Sequence, residues 1–319
     1  MSEAIKPLPQ EQPQEQPQEQ PQPQPLGQEQ EALTLLLLQD CRRMIQAGHR
    51  PVLGLNGPVG SGKSTLSRQL RQDFARAGLQ LAVASIDDAY LPWAERRQRM
   101  AGNPFGVSRV PPGSHDPAAL AEPILCWREQ PWSGDGRATA ALDLPRFDKT
   151  LRDGEGDRTT NWHGQADVVL LEGWLLGCRP VPEHELLAWS AAAGLDAPAQ
   201  AWLQRSNQAL QTYLQLWGTI DQLVQLWPAS WSLPRRWRFQ AEARQRRSGG
   251  GWLRPEQLDQ LVQATLQSLP APLYQRPLLQ GARWVRELDA RRRCRWQGPG
   301  GELLKRLDQS SSACSSATG

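Results

Sequence analysis

Two hydrophobic periods alternate along the first ninety residues. Residues 28–47 place apolar side chains at helical spacing, with Leu33–Leu38 as the densest stretch, and predict an amphipathic helix. Pro51-Val52-Leu53-Gly54-Leu55 is a continuous apolar run that predicts a buried strand over 51–56. Leu66, Leu70 and Phe74 then recur at helical spacing over 64–77, and Gly78 is suited to a C-cap. A second apolar strand, 79–86, ends in Asp87-Asp88-Ala89-Tyr90. Strand, helix, strand in this order predicts an α/β fold with a mostly parallel sheet flanked by helices.

The pattern continues more irregularly. A helix is expected over 118–127, a Gly- and Asp-rich connection over 131–144, and an apolar strand over 167–174 that ends at Glu172. One helix is expected over 199–217, where Trp202, Leu203, Leu210, Tyr213, Leu214 and Trp217 share a face, and a strand over 220–226. The stretch 231–247 is helical and basic, and residues 256–269 repeat leucines in helical register. The last expected strand is 282–288, before Asp289 and a basic turn. Residues 28–298 read as one domain, with substrate loops in 100–160 and a lid region in 228–255.

Composition sets the ends apart. Pro-Gln-Glu-Gln occurs three times in tandem, starting at Pro9, Pro13 and Pro17, with no apolar face to offset ordering entropy. We therefore expect residues 1–27 to be a disordered tail, or else an extended docking arm, and 299–319 to be a disordered Gly/Ser-rich tail. No basic-apolar-small leader and no long apolar span is present, and the five cysteines lack C-x-x-C spacing, so a cytoplasmic location is expected without a disulfide framework or zinc site. The net charge of +3 does not by itself call for nucleic acid, and neither a membrane nor an obligatory protein partner is expected.

Chemistry enters at Gly57-Pro58-Val59-Gly60-Ser61-Gly62-Lys63-Ser64-Thr65, between the first strand and its helix. This fits G-x-x-x-x-G-K-[ST], in which glycines allow backbone N–H groups to turn inward on phosphate oxygens. Lys63 is expected to reach the outer phosphates, Ser64 to ligate Mg²⁺, and the helix N-terminus to face the same charge. The fold expected is therefore that of the P-loop NTPases. In such a sheet ligands gather outside the carboxyl ends of the strands. Asp87 and Asp88 would lie there, read either as a reactive pair or as a solvated turn, and Glu172 would orient Mg²⁺.

Residues 103–116 form a Pro/Gly-stiffened loop carrying Arg109, His115 and Asp116, although Asp116 could equally cap the following helix. The charged stretch Arg152–Arg158 suits either a solvated hairpin tip or an anionic substrate. The basic segment, with Arg238 and Arg244 ahead of Ser248-Gly249-Gly250-Gly251, reads as a lid over transferring phosphate or as a basic face for RNA.

Val110-Pro111-Pro112-Gly113-Ser114-His115-Asp116, Leu170-Leu171-Glu172-Gly173-Trp174-Leu175-Leu176-Gly177 and Trp237-Arg238-Phe239-Gln240-Ala241-Glu242 together resemble the D-glycerate 3-kinase family, relatives of pantothenate kinase, uridine kinase and phosphoribulokinase. The resemblance spans about residues 30–295. It implies phosphorylation of the 3-hydroxyl of D-glycerate by ATP with Mg²⁺, the closing step of photorespiratory salvage. It also implies that Asp87 accepts the hydroxyl proton. Lys63, Arg238 and Arg244 are expected to stabilise the transferring group. Asp88, Tyr90, Arg109, His115, Asp116, Lys149 and Arg158 would contact the acceptor, with Lys149 and Arg158 as candidates for its carboxylate. Ala89 stands where relatives carry an aromatic residue. The alternatives are a kinase of the same fold for pantothenate, a nucleoside or ribulose 5-phosphate, or a nucleotide-dependent switch or assembly protein.

Overall fold

The computed structural model describes residues 28–132, 138–247 and 253–316. The expected tail 1–27 and the glycines of 249–251 lie outside the described residues. Helix α1 (Gln28–Gln46) buries Leu33, Leu37 and Cys41 and leads to strand β1 (Val52–Asn56), all five residues of which are buried. Helix α2 (Lys63–Arg76) buries Leu66, Leu70 and Phe74, the face its periodicity announced. Each such side chain contributes about 1.5–3 kcal/mol of transfer free energy. Strand β2 (Leu81–Ser85) follows, then a short 3₁₀ turn, Ile86–Ala89, and helices α3 (Trp93–Arg99) and α4 (Ala118–Glu129).

Strands β3 (Ala140–Asp148) and β4 (Asp157–Ala166) form an antiparallel hairpin of their own, so the connection expected over 131–144 is in part a strand. Alternate residues Ala140, Leu142 and Leu144 are buried, a period that Gly and Asp in the flanks conceal. Strand β5 (Val168–Gly173) is buried throughout. Helices α5 (Glu183–Ala192), α6 (Ala197–Ala209) and α7 (Leu214–Gly218) precede β6 (Gln222–Pro228). The single helix expected over 199–217 is thus two helices joined by a 3₁₀ turn, Leu210–Tyr213. Both its core residues are buried, Tyr213 turning its hydroxyl toward the 113–115 loop.

Helices α8 (Leu233–Arg247), α9 (Pro255–Ser268), α10 (Ala271–Tyr274) and α11 (Leu278–Gly281) lead to β7 (Trp284–Leu288), β8 (Cys294–Gly298) and α12 (Gly300–Ser316). The last helix corrects the expectation of a disordered tail from 299. Leu303 is buried beside Leu279 and Val285, and a Cβ on Gly300 would lie 2.0 Å from the Leu279 carbonyl oxygen. Gly300 permits close docking of the helix start.

The six-stranded sheet runs β2-β5-β1-β6-β7-β8, with only β8 antiparallel to its neighbour. Apolar clusters cover both faces. One gathers α4, the β3–β4 hairpin, α6 and α7, and the other gathers α1, α2 and Trp237 of α8. With β1 between β5 and β6, the loops leaving β1, β2 and β5 open at the same carboxyl edge.

Candidate active site

Register aligns the carboxyl ends. Leu55 pairs with Glu172, and Ser85 pairs with Glu172 from the other side. The acid therefore stands between the phosphate loop and the Asp87 turn. Glu172 is buried and accepts hydrogen bonds from Ser64 Oγ (2.8 Å) and Ser67 Oγ (3.0 Å).

Within the loop, Gly62 caps α2 at φ 98°, a left-handed conformation that favours glycine. Lys63 folds back to donate to the carbonyls of Gly57 (2.8 Å) and Pro58 (3.1 Å). Burial lowers its pKa, opposed by the negative charges of Glu172 and Asp87. Ser61 is buried and its Oγ has no partner among the described residues, as suits a loop shaped for a polar guest. Thr65 is exposed at the first turn of α2.

After β2 the two aspartates diverge. Ser85 and Asp88 form a reciprocal cap, Asp88 accepting the Ser85 N–H at 2.9 Å and pairing with Arg146 at 3.2 Å. Burial raises the Asp88 pKa against those partners. Asp87 instead accepts Lys149 Nζ at 2.6 Å. Burial alone would push its carboxyl up, but the Lys149 ammonium, with help from the Tyr90 hydroxyl, holds it well below the usual carboxylate range. Asp87 is therefore an ionised, oriented acceptor.

A cavity of about 250 Å³ opens here. Its wall includes Val59, Gly60, Lys63 and Ser64 of the loop, Asp87 and Tyr90, Arg109 and Lys149, Glu172, and Arg238. These residues, expected from the sequence to act together, are brought together. Gly57, Pro58, Ser61, Gly62 and Thr65 shape the loop without lining the cavity.

Other expected contacts stand behind the wall. Asp88 is engaged with Ser85 and Arg146. His115 stacks on Tyr90 with ring centroids 4.4 Å apart, and its Nδ1 lies 2.8 Å from the Tyr213 hydroxyl. That hydroxyl also accepts the Gly113 N–H at 3.0 Å. Burial pulls the His115 pKa down to about 4. Arg158 donates to the Tyr90 carbonyl (2.9 Å) and to Asp116 (3.0 Å), which also accepts the Ala119 N–H as a cap of α4. Ala89 is fully buried in the core, and the aromatic residues at the cavity are Tyr90 and Trp174. Arg244 is exposed on α8 outside the cavity wall.

The expected lid helix is docked along part of its length. Trp237 is fully buried, and a Cβ on Gly60 would lie 2.7 Å from the Arg238 nitrogen. Arg238 faces the cavity and pairs with Glu242 at 3.0 Å. Sequence reasoning missed the wall formed by Leu261, Val262 and Thr265 of α9, whose spacing signals only a core face. It also missed Arg292, one basic residue among three in a turn.

No family model matches the chain. It is 30% identical over 231 residues to the chloroplastic D-glycerate 3-kinase of Arabidopsis thaliana, a match covering 70% of this chain and 47% of that protein, so the chain spans about half the length of that relative. It is 28% identical over 200 residues to the uncharacterised kinase mug58 of Schizosaccharomyces pombe, covering 60% and 69% respectively. The solved D-glycerate 3-kinase of Cryptococcus neoformans superposes with a TM-score of 0.72 at 26% identity, over 85% of this chain and 99% of that one. With the P-loop, the acidic strand ends and the docked arginine helix in one cavity, the chain is similar in sequence and in fold to these D-glycerate 3-kinases.

Proposed function

We propose that this protein is an ATP-dependent kinase that phosphorylates the 3-hydroxyl of D-glycerate, giving 3-phosphoglycerate. The observation that carries the reading is the shared cavity. Lys63 and Ser64 sit on one wall, and Asp87 paired with Lys149 sits on the other, with Arg109 beside them. A cavity of about 250 Å³ suits the reacting phosphates and a short acceptor better than a large one.

Phosphoryl transfer passes through a loose transition state, so positioning and charge stabilisation account for most of the barrier reduction. Lys63 and Arg238 would neutralise charge growing on the transferring group. Ionised Asp87 would take the acceptor hydroxyl as a hydrogen-bond donor, align its oxygen and receive its proton as the bond forms. Lys149 and Arg109 are the cavity cations available to the glycerate carboxylate. Arg158 and Asp116 would act one layer back, by holding Tyr90 and the start of α4.

Ser64 and Glu172 are the residues that would hold Mg²⁺. Their hard oxygen donors fit that ion, and its few protein ligands fit the absence, among the described residues, of any cluster of three or more His, Cys, Asp or Glu. When bound, Mg²⁺ would neutralise phosphate charge. The proposal extends to photorespiratory salvage and a cytoplasmic location, the latter testable by cell fractionation. No described helix is long and apolar enough to cross a membrane.

The direct test is a coupled assay for 3-phosphoglycerate with ATP and a panel of D-glycerate, pantothenate, a nucleoside and ribulose 5-phosphate. D-glycerate is expected to give the highest kcat/KM. A higher value for any other acceptor overturns the substrate assignment, and nucleotide turnover indifferent to every acceptor overturns the kinase reading.

A further inference from the structure

The turn between β7 and β8 is wired from within. Asp289 accepts the backbone N–H groups of Arg291 (2.7 Å) and Arg293 (2.9 Å) and pairs with the Arg293 side chain at 2.9 Å. The Arg292 N–H returns to the Asp289 carbonyl at 2.8 Å. These bonds hold Arg292 at φ 65°, a left-handed conformation unfavourable for a residue with a Cβ.

The side chain that this costly backbone presents does not go to solvent. Arg292 Nε donates to the Gly60 carbonyl at 2.7 Å, and Nη2 donates to the Trp237 carbonyl at 2.8 Å. Trp237 answers by donating its indole N–H to the Ala290 carbonyl at 3.0 Å. One guanidinium therefore joins the phosphate loop, the arginine helix and a turn remote from both in sequence. Gly60 lines the cavity, and Arg292 does not.

We propose that Arg292 is a positioning residue for nucleotide, holding the Gly60 carbonyl outside the phosphate cradle and fixing the loop to the segment that carries Arg238. The inference rests on the nucleotide reading of that loop. A cradle binds phosphate with N–H groups directed inward, and glycine peptides turn over easily because no Cβ resists them. A turned Gly60 peptide would aim oxygen at phosphate oxygen. A charge-assisted bond to the carbonyl opposes that turn by a factor of about ten to a hundred in population. Arginine suits the task because its planar fork serves two carbonyls at once and stays charged where burial and the neighbouring Arg244 disfavour charge.

The test is ADP binding by titration calorimetry on the full chain, with no acceptor present. Arg292→Ala is expected to weaken ADP by about tenfold or more. Arg291→Ala, an exposed change in the same turn that leaves the backbone bond of Arg291 to Asp289 in place, is expected to leave affinity within about twofold. Methylguanidine added to Arg292→Ala is expected to restore part of the lost affinity, which a purely structural role would not allow. Unchanged affinity in Arg292→Ala, equal losses in both variants, or no recovery with methylguanidine overturns the proposal. If Arg292→Ala does not fold, Arg292→Lys is measured in its place, where at least threefold weakening supports the proposal and unchanged affinity overturns it. Failure of the unaltered protein to bind ADP is a different result and overturns the nucleotide reading itself.

Discussion

The two halves of the cavity are held in place by different means. The phosphate half is made mostly by backbone, with Arg292 tying it to the arginine helix. Strand register sets Glu172 between β1 and β2, a glycine at φ 98° starts α2, and Lys63 and Ser64 follow within two residues. The opposite half is stapled by arginines. Arg96, fully buried, donates to the carbonyls of Leu91, Glu155 and Gly156, Arg109 also to that of Glu155, and Arg158 to that of Tyr90. Sheet geometry positions a group through many weak ladder bonds, whereas loops far apart in sequence need a multivalent donor. An arginine near this site is thus more often a tie between loops than a ligand for an anion.

The sharpest way to break that contrast is at Lys63. Lys63→Ala is expected to cost about 10³-fold or more in kcat/KM, and retained turnover in the glycerate assay would remove the phosphate loop from the mechanism. Asp87→Asn tests the opposite wall. It is expected to lower kcat by about 10²- to 10³-fold with the KM for ATP little changed, while equal losses in both would show that Asp87 supports nucleotide instead.

The layer behind the wall predicts a pH effect. His115, with an ordinary value of 6.5, is held at about 4 by burial. Between those values the unfolded chain binds a proton that the folded chain refuses. Stability therefore rises with pH through this window, by about 3 kcal/mol, and the whole contribution is present above pH 6.5. Urea unfolding of the wild type and His115→Gln at pH 4.5 and 7 is expected to show a shallower pH dependence in the variant. An identical slope would contradict the buried neutral imidazole.

The smallest expected effects separate ligand from tie most directly. Lys149→Ala is expected to raise the KM for glycerate by about tenfold without loss of thermal stability. Arg158→Ala is expected to lower stability by about 1–2 kcal/mol with glycerate KM within about threefold. Exchange of these two outcomes would make Arg158 the carboxylate ligand after all.

The backbone-built half was legible in the sequence because its requirements are local. The P-loop spacing, the strand before it and the acidic strand ends each lie within a few consecutive residues. The arginine-tied half was legible only as a set of candidates. The stretches with Asp88, His115, Asp116 and Arg158 stood out, but whether each faced the cavity depended on partners 3 to 98 positions away. The hairpin strand at Ala140 and the terminal helix were hidden because glycine marks both flexible chain and close packing. Arg292 had no local signal, since its role depends on a loop 232 residues upstream.

Arg50, just ahead of β1, donates to the carbonyls of Trp127, Arg128, Gln130, Pro131 and Ala138. A helix end normally finds its cap within a few residues, yet α4 finds its cap 77 to 80 positions upstream. Until that long segment closes, the last turn of α4 has bare carbonyls and the strand that follows has no anchor. One side chain thereby couples the entry of the phosphate-loop strand to the end of α4 and the entry of the acceptor-side hairpin, so loosening it would loosen both walls of the cavity together.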